Sequence, residues 1–415
     1  MRVTGIISEY NPIHNGHAKH IDTARYETGA DFIIAVMSGD FVQRGAPAII
    51  SKYERAKYAL MAGVDLVVEL PLYYSTGSLD YFSKGAVSLI NRTGVVSCIS
   101  FGSECGDIDL LKEAASVIHS PKTEKDREIR KSLSEGHNYS TALYSSPDIP
   151  GHIKEVLGTP NNLLAASYIS SSKELSFDCA FHTTKRGEAA YHDDSIGALS
   201  STAIRREILC GLHNSLPERM PKDVYNSLSD HLKKYPAISE DTYSLLLFAR
   251  IHEIIRTALC EKVNPAGELT SYLDVSDSLA GKIIKEYAHA PSYSGLCRSI
   301  KSKDINYARI SRALLHIMLG IKKQYMDEYV DDGYAYFIKV LGFKRSASDL
   351  MHALKEHSDI PLITKNADAA KLMDGHALRM FSEGAAASDL YNKTACLSGR
   401  QPFRSEYEHT PVIIP

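Results

Sequence analysis

Short apolar runs alternate with stretches of helical periodicity over the first hundred residues. Val3–Ile7 reads as a short strand, and the stretch from His14 to about Thr28 reads as a helix. Phe32–Val36 is a second apolar run. Ser51-Lys52-Tyr53-Glu54 has the form of a capping box, and it opens a helix that runs to about Ala62 and stops at Gly63. Leu66–Pro71 is a third strand. A Ser/Gly-rich turn leads to a helix from about Leu79 to Asn91, and Val95–Phe101 is a fourth strand ending at Gly102-Ser103-Glu104. Strands apolar on both faces, alternating with helices, predict a covered parallel sheet, an α/β Rossmann-like fold.

The pattern then changes twice. Residues from about 108 to 160 read as a polar helical insertion. A helix from about Asn161 to Ser171, a strand over about Phe177–Thr183 and a helix beginning near Ser200 resume the α/β order. Beyond about 220 the strand signal fades. Helices broken by Pro236, Pro265, Pro291 and Gly295 follow, with a short mixed element at Tyr336–Phe343 and Pro361–Lys365. The expected division is a ligand-binding α/β domain over 1–220 and a mainly α-helical domain over 221–415.

Composition narrows the function classes. The chain has 44% apolar and 23% charged residues, as globular proteins do, and its net charge of -3 excludes a polycation. Nucleic acid would therefore be held by a local patch. The amino terminus enters a strand directly and has no signal-peptide pattern, and no apolar run is long enough to span a membrane. Seven cysteines, an odd number without a C-x-x-C pair, argue against a disulfide framework or structural zinc. The expectation is a cytoplasmic protein.

The first candidate site follows the first strand. Ligands of open parallel sheets bind beyond the carboxyl ends of the strands, where Ser8-Glu9-Tyr10-Asn11-Pro12-Ile13-His14-Asn15-Gly16-His17 lies. Gly16 leaves room for a ligand beside the backbone. His14 and His17, three apart at a helix start, share one face and can donate to one phosphate oxygen. Donors fixed there stabilise charge that develops on an attacked α-phosphate. His20 continues the three-residue spacing, but no acidic residue accompanies the histidines, so a metal site is not expected.

The second candidate is Ser200-Ser201-Thr202-Ala203-Ile204-Arg205, a Ser/Thr cluster before a helical run. It offers hydroxyls and backbone N–H groups to an anion, and Arg205 adds a planar fork for phosphate oxygens. Two such motifs flanking one α/β unit point to a triphosphate.

The H-x-G-H at His14–His17 and the S-S-T-x-I-R at Ser200–Arg205 resemble those of the nucleotidylyltransferase superfamily. Longer runs resemble the bacterial tRNA(Met) cytidine acetate ligases: Glu9–His17, Met37–Gly45, Gly63–Pro71, Phe101–Glu104, Pro160-Asn161-Asn162, Tyr191-His192-Asp193 and Val340–Phe343. That resemblance implies a nucleotidyltransferase-type catalytic domain that activates acetate with ATP. It implies transfer of the acetyl group to N4 of the wobble cytidine of elongator tRNA(Met). His14 and His17 would stabilise the α-phosphate; Ser201, Thr202 and Arg205 would hold the β- and γ-phosphates. The family's ATP loop maps onto Ile7 through His20: Ile7, Ser8, Glu9, Tyr10, Asn11, Pro12, His14, Asn15, Gly16, His17 and His20. Gly102 would lie against the adenosine, Asn161 or Asn162 would bond the base or ribose, and Arg186 would contact ATP. Ala46, Ala165 and Lys185 depart from the expected pattern, and Lys185 and Arg186 could exchange roles. Mg²⁺ ordinarily accompanies ATP phosphates, but no carboxylate cage is apparent.

The segment 282–345 holds twelve Lys/Arg against six Asp/Glu, and Tyr287, Tyr293, Tyr307, Tyr325, Tyr334 and Tyr336 are interleaved. Such tyrosines can stack on unpaired RNA bases. Two alternatives share the first site: an enzyme that joins a nucleotide to a phosphorylated small molecule, and an RNA-binding protein that senses ATP. A class I aminoacyl-tRNA synthetase would need a K-M-S-K-S stretch, which is missing.

Overall fold

The computed structural model describes residues 1–118, 149–186, 200–212, 215–303, 305–399 and 402–415. Most of the expected polar insertion, and Tyr191-His192-Asp193, lie outside them. Ten strands are described: β1 (Val3–Ser8), β2 (Phe32–Ser38), β3 (Phe41–Val42), β4 (Ala46–Pro47), β5 (Leu66–Leu70), β6 (Cys98–Ser103), β7 (Ala180–Lys185), β8 (Ile338–Lys344), β9 (Leu362–Ile363) and β10 (Val412–Ile414). All but β3 and β4 join one sheet, in the order β10-β8-β5-β2-β1-β6-β7 with β9 beside β8. β5, β2, β1, β6 and β7 are parallel neighbours.

The expected α/β core is present, and side-chain alternation explains its two faces. Ile33, Ala35 and Met37 of β2 pack with Ile21 and Ala24 of the helix Asn15–Thr28 and with Ala56 and Ala59 of the helix Lys52–Met61. Ile34 and Val36 face the other way, onto Phe82, Ala86 and Ile90 of the helix Leu79–Arg92 and Ala166 and Ile169 of the helix Pro160–Glu174. Both faces are dry, so both parities of the strand must be apolar. β7 begins at Ala180 rather than near Phe177, because the Phe177 amide still closes the preceding helix on the Ser172 carbonyl at 2.9 Å.

The carboxyl-terminal half is mostly helical, with its own core around Leu247, Ile251, Leu296, Ile310 and Leu314. It is not separate from the sheet. β8 pairs antiparallel with β5, and β10 pairs with β8, so the sheet crosses the boundary expected at 220. A hairpin of β3 and β4 links the two halves. Its tip residue Gly45, at φ +76, accepts hydrogen bonds on its carbonyl from Ser311 Oγ (2.8 Å) and Tyr293 Oη (3.3 Å).

Charged side chains close the seam between the halves. Lys52, fully buried, places its ammonium 2.9 Å from Glu69, 2.8 Å from Glu406 and 2.7 Å from Ser388 Oγ. Lys339 bridges the same two carboxylates at 2.8 and 2.5 Å. Glu406 also accepts from Tyr53 Oη at 2.9 Å.

Candidate active site

β1 has β2 on one side and β6 on the other, and the chain crosses over between them. A crevice therefore opens at the carboxyl ends of β1 and β6, and the loop after Ser8 enters it. Arg55, buried in the helix Lys52–Met61, fastens that loop: its guanidinium donates to the carbonyls of Glu9 (2.7 Å), Ser38 (3.0 Å) and Gly39. Asn11 Oδ1 accepts from the Ile49 amide at 3.0 Å, and the Asn11–Pro12 peptide is cis. Gln43 N–H donates to Glu9 at 3.1 Å, tying the β3–β4 hairpin to the loop.

His14 is the N-cap of the helix Asn15–Thr28, and His17 completes a capping box usually built from Ser and Glu. His14 Nδ1 accepts from the Gly16 amide at 3.1 Å, and His17 Nδ1 accepts from the His14 amide at 3.3 Å. Backbone N–H groups only donate, so each ring must carry its proton on Nε2. The rings stack with centroids 3.8 Å apart, and Tyr10 meets His17 edge-on at 5.2 Å. Burial, then the charges of Arg186 and Arg219, lower the His14 pKa to about 3. Burial, His14 and Arg186 push His17 well below its ordinary value. Both are therefore neutral N–H donors at pH 7. Gly16 makes room for the His14 ring itself: a Cβ there would sit 2.9 Å from Cε1.

The second motif meets the same loop. Ser200 caps the helix Ser201–Leu209 by accepting from the Ala203 amide at 3.1 Å. Arg205 donates to the Asn11 carbonyl at 2.8 Å and to Thr202 Oγ1 at 3.1 Å, and Ser201 Oγ lies 3.5 Å from the Pro12 carbonyl. Asn15 Nδ2 reaches the Glu218 carbonyl at 2.8 Å. Residues about two hundred positions apart thus meet around one loop.

On the β6 side, Gly102 faces Arg186: a Cβ at Gly102 would lie 3.3 Å from Arg186 Cγ. Lys185 turns instead to Gly106, and Arg186 is the cation whose field reaches His14, His17 and His20. Asn161 and Asn162 are bound to Glu104. Its carboxylate accepts from both backbone amides (3.2 and 2.8 Å) and from Asn161 Nδ2 (2.6 Å), and Asn162 Oδ1 accepts from the Glu104 amide at 2.9 Å. His20 contacts Ser100 Oγ at 2.9 Å, and burial, then His182 and Arg186, lower its pKa to about 4. Ser100 and His182 are polar neighbours that the sequence did not mark out, whereas Glu104 closes the Phe101–Glu104 run. The alternation in Phe181-His182-Thr183-Thr184 was the available signal.

The tyrosine-rich segment divides. Tyr293 and Tyr334 are core residues, and Lys339 is buried in the ion cluster, so these three do not face RNA as they stand. Tyr287, Tyr307, Tyr325 and Tyr336 are half-buried. Among the described residues no group of three or more His, Cys, Asp or Glu is arranged to hold a metal ion, and no helix is long and apolar enough to cross a membrane.

A family model described as HIGH Nucleotidyl Transferase matches residues 1–402. The tRNA(Met) cytidine acetate ligase of Thermoanaerobacter sp. (strain X514) is 34% identical over 400 residues, covering 94% of this chain and 95% of that protein. The tRNA(Met) cytidine acetate ligase of Clostridium novyi (strain NT) is 34% identical over the full length of both. Among solved structures, Thermotoga maritima TmcAL bound with alpha-thio ATP superposes with a TM-score of 0.88 at 25% identity, and its apo form with 0.89 at 26%. Both cover all of each chain. This chain belongs to the HIGH nucleotidyl transferases and, within them, to the tRNA(Met) cytidine acetate ligase family.

Proposed function

We propose that this enzyme forms acetyl-adenylate from ATP and acetate and acetylates N4 of the wobble cytidine of elongator tRNA(Met). One observation supports the residue assignment: two histidines with their protons on Nε2 sit at the end of the same loop that Arg205 grips at Asn11 and Ser201 approaches at Pro12. An acetate oxygen attacks the α-phosphorus, and the bond to the bridging oxygen of pyrophosphate breaks. Charge builds on the equatorial α-phosphate oxygens, where His14 and His17 donate without prior reorganisation. Arg205, Thr202 and Ser201 receive the departing pyrophosphate. In the second step N4 of cytidine attacks the acetyl carbonyl, AMP leaves and N4 loses a proton. Neutral histidines suit the first step because they polarise the phosphate without competing for the acetate anion.

Incubation with ATP, labelled acetate and tRNA tests the whole reading. Label should enter cytidine only when tRNA(Met) is present, and AMP and pyrophosphate should form together. Pyrophosphate release indifferent to acetate would refute it and favour transfer of a nucleotide to a small molecule.

A further inference from the structure

Beside the proposed nucleotide site, four side chains form a hydrogen-bonded chain that starts and ends on one helix. Glu27 Oε2 lies 2.6 Å from His182 Nε2, His182 Nδ1 lies 2.9 Å from Ser100 Oγ, and Ser100 Oγ lies 2.9 Å from His20 Nε2. The path leaves the helix Asn15–Thr28 at His20 and crosses β6 and β7, where Ser100 and His182 are register partners. It returns to the same helix at Glu27, two turns on.

A carboxylate only accepts, so His182 donates to it from Nε2, and with a single proton on that ring the remaining bonds take one direction. Its Nδ1 is then bare, and the Ser100 hydroxyl must donate to it. The Ser100 oxygen is left to accept, so His20 carries its proton on Nε2. His20 Nδ1 is thereby a lone pair. His14 and His17, by contrast, have their Nδ1 atoms occupied by backbone N–H groups and present Nε2–H. The helix thus offers two donors in its first turn and one acceptor in the next.

One helical turn, about 5 Å, separates His17 from His20. In a nucleotide the group next to the α-phosphate is the ribose, whose hydroxyls need acceptors. A second observation lies on the same sheet face. Thr184, two residues beyond His182 and the register partner of Gly102, has a buried hydroxyl with no hydrogen-bond partner among the described residues. We propose that Glu27, His182 and Ser100 are positioning residues that hold His20 in its Nε2–H tautomer, so that Nδ1 accepts a hydrogen bond from a ribose hydroxyl of ATP. The proposal rests on the reading of this crevice as the ATP site.

Nitrogen-15 NMR of the full-length protein, with histidine labelled in the ring, reads the tautomer directly. Calorimetry with ATP, 2′-deoxy-ATP and 3′-deoxy-ATP reads the contact. In the unaltered protein His20 should show a protonated Nε2 and a bare Nδ1, and one deoxy analogue should bind about 3- to 10-fold more weakly than ATP. Ser100→Ala should abolish the tautomer preference, weaken ATP by a similar factor and erase the discrimination. Glu27→Gln, at a half-exposed position that leaves the core untouched, should act in the same direction, since an amide can donate as well as accept. A protonated Nδ1 on His20 would overturn the proposal. So would Ser100→Ala and Glu27→Gln proteins with unchanged ATP affinity and discrimination. If the unaltered protein bound no nucleotide at all, the ATP-site reading itself would fail, and the ribose contact with it.

Discussion

Replacing Glu406 by Gln tests whether the carboxyl-terminal segment is part of the stability of the sheet domain. The Glu406 side chain is fully buried between the ammonium groups of Lys52 and Lys339. Burial alone would raise its pKa; the attraction of Lys339 and Lys52 more than reverses this and lowers it from 4.5 to about 2. At about 1.4 kcal/mol per pH unit, that displacement corresponds to about 3 kcal/mol of folding free energy. Removing one partner from a buried pair gives a similar figure, about 3–5 kcal/mol. The sign follows from the depressed folded-state value. The contribution is complete above pH 4.5 and is lost as pH falls toward 2. Equilibrium urea unfolding, followed by circular dichroism, should show Glu406→Gln about 3 kcal/mol less stable than the parent at pH 7. The gap should close as the pH is lowered through that window. A gap below about 1 kcal/mol at pH 7, or one that does not change with pH, would refute the reasoning.

Other outcomes follow from the site. His17→Ala should lower the rate of acetyl-adenylate formation by about 10²–10³ while tRNA binding, measured by filter retention, stays unchanged. An equal loss of tRNA binding would contradict the division of roles. Because burial keeps His14 near pKa 3 and His17 well below its ordinary value, neither should ionise between pH 5 and 8. The pH profile of pyrophosphate release should then lack a limb near 6.5 that disappears in His17→Asn. Arg205→Lys loses the fork that spans Asn11 and Thr202, and the KM for ATP should rise about tenfold. Gly45→Ala would place a Cβ 2.2 Å from the Arg312 amide at a positive φ, so Tm should drop by several degrees in a thermal melt.

The parts of the fold legible in the sequence are those whose causes are local. Ser51 and Glu54 announce their helix because the cap is made by neighbours: Ser51 Oγ accepts from the Glu54 amide at 3.3 Å. The apolar run Phe32–Val36 announces a doubly covered strand for the same reason. At the site, spacing alone placed His14 and His17 on one face, and the stacked rings agree. What sequence could not supply is partnership at long range. Nothing in Ser405-Glu406-Tyr407 marks the glutamate as buried, because Lys52 and Lys339 lie in distant segments. The two-residue strands of the hairpin are too short to show a period. The contacts of Asn161 and Asn162 with Glu104 and the adjacent Cys105 backbone, more than fifty residues away, were also not visible in the sequence. The interleaved tyrosines likewise looked alike in sequence, although only burial separates Tyr293 from Tyr307.

The seam of the sheet also bears on how the molecule is made. β5 emerges from the ribosome early, and its partner β8 belongs to the last fifth of the chain. Until that segment arrives, Leu66–Leu70 presents an open, apolar strand edge of the kind that pairs with foreign chains. Lys52 must wait as long for Glu406. The amino-terminal half therefore cannot complete its sheet ahead of the rest. A prematurely terminated copy would expose a sticky edge and an unmatched charge. Late closure of the sheet thus ties the order of the amino-terminal strands to the arrival of the helical half.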